Sequence, residues 1–99
     1  MSTEERQAAL GRVNDLITLL RGLPSQQDQV SGLVQEAEAL ARAITAFHLE
    51  GIRFRMYNVD RIVHHPPVAL PADATAIVAD VHRHLEAAGF HTRSHQAPG

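Results

Sequence analysis

Residues 25–50, SQQDQVSGLVQEAEALARAITAFHLE, decide how this chain is read. Val30, Leu33, Ala37, Leu40, Ile44 and Phe47 recur at alternating spacings of three and four, the a/d seam of a helix that packs lengthwise on a neighbour. Val34, Ala41 and His48 widen that seam, and Gln35, Glu38, Arg42 and Thr45 occupy the opposite face. Ser25 with Asp28 three residues on makes a capping-box-like start, and Gly51 is a natural stop. At 1.5 Å per residue such a helix is about 39 Å long, as long as a domain of this size is wide.

Upstream, residues 3–21 carry a second apolar stripe. Leu10, Val13, Ile17 and Leu20 form its seam, and Leu16, Leu19 and Leu23 broaden it to about half the cylinder. Gly22 and Pro24 end this helix, and the short GLPS connection makes the two helices antiparallel neighbours. The hairpin presents more apolar surface than one neighbour can cover. It therefore predicts a homodimer that completes a four-helix bundle, with Leu10, Val13, Leu16, Ile17, Leu20, Val30, Leu33, Leu40, Ile44 and Phe47 at the interface; the alternative is a monomer in which the C-terminal half covers the hairpin.

Downstream the period changes. In IRFRMY, residues 52–57, Ile52, Phe54 and Met56 alternate with Arg53, Arg55 and Tyr57, the pattern of a half-buried strand. Residues 58–63 fit either a strand or a helical turn. HHPPVALP at 64–71 is a loop, because its prolines exclude helix and central strand. A third helix is expected over 72–88, with Asp73 as N-cap or Pro71 in its first turn. Its buried face is Ala74, Ile77, Val78, Val81, Leu85 and Ala88. Gly89 is the expected C′ residue, with Phe90 packing back on it. Residues 90–95 alternate weakly, as a short second strand would, and 96–99 are a frayed tail. The expected fold is mainly α, of the α+β kind. It is one domain over 1–99: a long antiparallel helical hairpin (1–50), then a β-α-β-like arm (51–95).

Composition narrows the chemistry. There is no Cys, so disulfides, thiolate metal sites and thiol nucleophiles are excluded. All nine cationic side chains are Arg, which excludes Lys-based Schiff chemistry and, with the abundant Ala, points to a GC-rich bacterial genome. The net charge of −2 does not suit a general nucleic-acid binder. The acidic, amphipathic start is not that of a signal peptide, and no apolar run approaches a bilayer span, so the cytoplasm is the expected location and a cofactor is not expected.

Charge is uneven: residues 51–99 hold five Arg against four acids, with six of the seven His. If 52–57 and 90–95 pair as strands, Arg53, Arg55, Tyr57, His91, Arg93 and His95 share one face suited to an anionic ligand or a protein partner. Among the His, His82 and His84 lie about 200° apart on a helix and cannot share an ion. Asp80 and His84 are four apart and share a face, which suits either an ion pair or two metal ligands. His48 falls in the apolar stripe of residues 25–50 and reads as a core or interface histidine. HLEAAGFHTRS, residues 84–94, is similar to the join of recognition helix and wing in winged-helix DNA-binding proteins. That resemblance implies Arg83 and His84 facing a groove and Arg93 on the wing, but HHPPVALP stands where that family has its preceding helix. No Gly-rich phosphate loop or nucleophile elbow occurs. The expected role is a small homo-oligomeric binding or assembly protein with a cationic Arg/His face. A nucleic-acid-binding regulator using the C-terminal helix and strand is the alternative, and a metal-binding or hydrolytic protein built on Asp80 and His84 comes third.

Overall fold

A computed structural model describes residues 3–23 and 27–90. They form α1 (Thr3–Arg21), α2 (Gln27–Ala46), α3 (Leu49–His64) and α4 (Ala72–Ala87), and no strand occurs among the described residues. The fold is mainly α. None of these helices is long and apolar enough to cross a membrane.

The order of packing follows from side-chain pairs. Arg6 donates to the Ile44 carbonyl at 2.9 Å, and Gln27 donates to the carbonyls of Leu20 and Leu23 at 2.9 and 2.8 Å, so α1 and α2 run antiparallel. Arg55 and Asn58 of α3 both reach Glu36 of α2. On α1 and α4, Arg12 meets Asp80 and Glu5 meets His84, so α4 rises as α1 falls. The helices thus close in the order α1, α2, α3, α4, with α1 packed on α4 as well as on α2.

This arrangement corrects the hairpin reading. Val13, Leu16, Leu20, Val30, Leu33, Leu40 and Ile44 are all buried inside one chain, Leu10 and Ile17 are half-buried, and only Phe47 of the ten expected interface residues is exposed. The stripe on α1 is broad because it faces two helices of its own chain, one of them α4. Full burial of each Leu or Ile stabilises by about 1.5–3 kcal/mol, so the seam is used up within the fold. The reason for expecting a second copy on that seam is gone.

Two helix ends share one device. At the end of α4, Phe90 N–H donates to the Leu85 carbonyl at 2.8 Å and Gly89 N–H to that of Glu86 at 3.0 Å, with Gly89 at φ 101°: a Schellman turn, with Phe90 buried against the core as expected. At the end of α2, His48 N–H donates to Ala43 at 3.0 Å and Phe47 N–H to Ile44 at 3.1 Å. This is the same turn with Phe47, at φ 59°, in the place glycine usually takes. A left-handed non-glycine residue costs about 1–2 kcal/mol. The Phe47 ring offsets this by meeting Phe90 edge-on at 5.4 Å and lying under the Arg6 guanidinium at 5.2 Å.

The chain therefore breaks at Phe47–His48, and α2 does not extend to residue 50. His48 is not a core residue: it is exposed and is the N-cap of α3, its Nδ1 accepting from Gly51 N–H at 2.9 Å. Gly51 is not a stop but sits in the first turn of α3, where a Cβ would stand 2.7 Å from His48 Nδ1 and 3.2 Å from Ala43 Cβ. Residues 52–57 are helical, not a strand, and 58–63 continue the same helix. Ile52, Met56, Val59 and Val63 recur at four, three and four and are buried, whereas Phe54 is exposed. The loop at 65–71 leads to Pro71, which is the N-cap of α4 in place of Asp73, with Ala74 N–H bonded to its carbonyl at 3.0 Å. The Ser25 cap, the Pro24 stop and the 90–95 strand beyond Phe90 lie outside the described residues.

Candidate docking surface on the third helix

Helical geometry sorts the residues of α3 by direction, at about 100° per residue. The buried line Ile52–Met56–Val59–Val63 faces the core. One flank faces α2: Arg55 Nη1 donates to both carboxylate oxygens of Glu36, at 3.2 and 2.9 Å, and Asn58 donates to the same carboxylate at 2.7 Å. The other flank faces α4: Asp60 Oδ1 lies 3.3 Å from Nε2 of buried His82 and 3.3 Å from His64 Nδ1. Diametrically opposite the core runs an outer ridge of Glu50, Phe54, Tyr57 and Arg61.

That ridge is apolar at its centre. Phe54 is 57% exposed and Tyr57 40%, and with Glu50 and Arg53 they line a shallow concavity of about 310 Å³. Leu49 and Phe47, at the entry to the helix, are each about half exposed. Isolated apolar residues on a surface are ordinary, but a contiguous aromatic pair on a ridge of α3 that none of the other described helices covers is the kind of patch that interaction sites present.

Arg53 and Arg55 of the expected cationic face do not share a side of α3. Arg53 and Arg55, neighbours across a strand pleat, point about 200° apart on a helix. Arg55 is committed to Glu36, with its guanidinium also 5.0 Å from the Phe54 ring centre. Arg53 is half-buried on the side of α3 facing α4, with Glu50 at 3.8 Å and its Nε buried without a hydrogen-bond partner. Of the three that are described, Tyr57 lies on the outer ridge. His91, Arg93 and His95 lie outside the described residues.

The other candidates are tied down between helices. Asp80 Oδ2 receives Arg12 at 3.0 Å and Oδ1 receives Arg83 at 2.8 Å. Burial works to raise the Asp80 carboxyl, but the hydrogen bonds and charge of Arg83 and Arg12 outweigh it and hold it below the usual carboxylate value. Arg12 is raised in turn, chiefly by its hydrogen bond to Asp15 at 2.7 Å. His84 Nδ1 lies 2.7 Å from Glu5 Oε2. Asp80 and His84 thus each face α1 and serve the α1–α4 contact. No group of three His, Asp or Glu with metal-binding geometry occurs among the described residues. Arg83 and His84, the groove-facing pair of the winged-helix resemblance, are engaged by Asp80 and Glu5, and their helix has α1 beside it.

Compared with protein-family models, with curated proteins and with solved structures, the chain matches none.

The aromatic ridge was missed because Phe54 reads as core under a strand period. The signal that finds it is the longer stripe at 52, 56, 59 and 63, which sets Phe54 and Tyr57 outside the buried face.

Proposed function

We propose that this chain is a binding and assembly module whose working surface is the outer ridge of α3. One observation supports the reading above the others: Phe54 and Tyr57 expose an aromatic pair on the ridge opposite the core, while the α1 and α2 seams are buried within the chain. Aromatic residues are the usual anchors of protein–protein contacts, because they bring large area with few rotatable bonds. The rest of the molecule serves as a rigid mount. Glu36 fixes one flank of α3 through Arg55 and Asn58, and the His82–Asp60 contact holds the other. An anionic ligand on Arg53 and Arg55 is not part of this reading, since Arg55 is spent on Glu36.

A benzophenone side chain placed at position 54 of the full chain, in cells that naturally express it, tests the proposal. Irradiation yields a discrete cross-linked species from position 54 and none from position 76, which is exposed on α4. Equal labelling at both positions, or none at position 54, refutes it.

A further inference from the structure

We infer that the partner seated on this ridge is a second copy of the chain, its α3 lying antiparallel to the first; the inference rests on the docking reading above. The argument is the order of residues along the ridge. Glu50, Phe54, Tyr57 and Arg61 stand at spacings of four, three and four, so they form a d-a-d-a seam with the acid at one end and the base at the other. The spacings are the same in either direction, and the charges are opposite. Turned about a two-fold axis between Phe54 and Tyr57, the ridge meets itself with each Phe54 against Tyr57 of the other copy. Each Glu50 then meets Arg61 of the other copy. A two-fold contact must be self-complementary, and this four-residue line is.

Both terminal charges are available for it. The Glu50 side chain is 81% exposed, and its one ion pair among the described residues, to Arg53, spans 3.8 Å. Arg61 is exposed and makes no ion pair among the described residues. A parallel arrangement of the same two helices, or a partner with an unrelated surface, gains nothing from this order. The contact rests on one helix per copy and so belongs at the weak end of stable interfaces.

Sedimentation equilibrium of the full chain, from about 10 µM to about 1 mM, covers the range such a contact calls for. The expected result is a monomer–dimer equilibrium that Phe54→Ser abolishes and that high salt weakens. Glu50→Arg and Arg61→Glu each bring like charges together twice in the dimer and raise the dissociation constant about tenfold. The double variant E50R/R61E returns it to near the starting value. These positions are exposed, and far-UV circular dichroism checks that each variant stays helical.

A monomer throughout the range overturns the inference, as does a double variant no tighter than either single one. Benzophenone at position 54 separates this from failure of the docking reading. A product of twice the chain mass supports the second copy. A product with a different partner overturns the second copy and leaves the docking surface standing. A cross-link confined within one chain, as to residues 91–99, overturns both.

Discussion

Gly32 and Gly51 both lie in helices, and alanine at the two positions is expected to act with opposite sign. At Gly32 a Cβ meets nothing within 4 Å, so Gly32→Ala collects the helix-propensity gain of about 0.8–1.0 kcal/mol. At Gly51 the same gain meets two obstacles. The new Cβ would stand 2.7 Å from His48 Nδ1, so the imidazole must swing away and give up its cap on Gly51 N–H, a loss of about 1 kcal/mol. It would also stand 3.2 Å from Ala43 Cβ, a squeeze between α2 and α3 of the kind that costs about 1–3 kcal/mol. The net expectation for Gly51→Ala is a destabilisation of about 1–3 kcal/mol, so the two variants differ by about 2–4 kcal/mol. Urea unfolding followed at 222 nm measures both. The cap term is isolated by repeating Gly51→Ala in a His48→Ala background, where its cost falls by about 1 kcal/mol because there is no cap left to lose. If Gly51→Ala stabilises as much as Gly32→Ala, the close corner at His48–Gly51 is not what brings α3 against α2, and the reasoning fails.

Three further outcomes follow from the same packing. Leu40→Ala empties a fully buried site and is expected to cost about 2–5 kcal/mol in urea unfolding; made in a Phe54→Ser background, where the α3 contact is absent, its midpoint is expected to be independent of protein concentration, and a midpoint that rises there would return the α2 seam to an interface. Phe47→Ala keeps the left-handed strain and loses the ring, whereas Phe47→Gly loses the ring and relieves the strain. The alanine variant is therefore expected to be less stable by about 1 kcal/mol in thermal melts, and equal melts would deny the strain. Asp80 is held below the ordinary carboxylate value, so its contribution is present above the unfolded-state pKa of about 3.9 and is lost as pH falls through its lower folded value. Asp80→Asn is accordingly expected to be less stable at neutral pH and to lose less stability on acidification than the parent chain, as read from urea midpoints between about pH 2 and 7.

What the sequence by itself determined is the local, periodic part of this protein. Residues 3–21 and 72–87 are helices because apolar residues recur at three and four, and Gly89 ends α4 because glycine takes the left-handed conformation at little cost. Phe90 was legible as the residue that folds back on that turn. The other Schellman turn was not legible: Phe47 continues the apolar period of α2, and nothing local marks it for a left-handed conformation. Only its contacts with Phe90 and Arg6, which are 43 and 41 residues away along the chain, make that conformation worth adopting.

Tertiary structure decided the rest for the same reason. IRFRMY carries a strand period over six residues and a helix period over twelve. Which one prevails depends on α2 and α4 burying Ile52, Met56, Val59 and Val63 together. Once that choice is made, Arg53 and Arg55 part to opposite flanks and Phe54 turns outward beside Tyr57. Short-range patterns fix where a helix can form. The placement of its neighbours fixes which side of it is left for a partner.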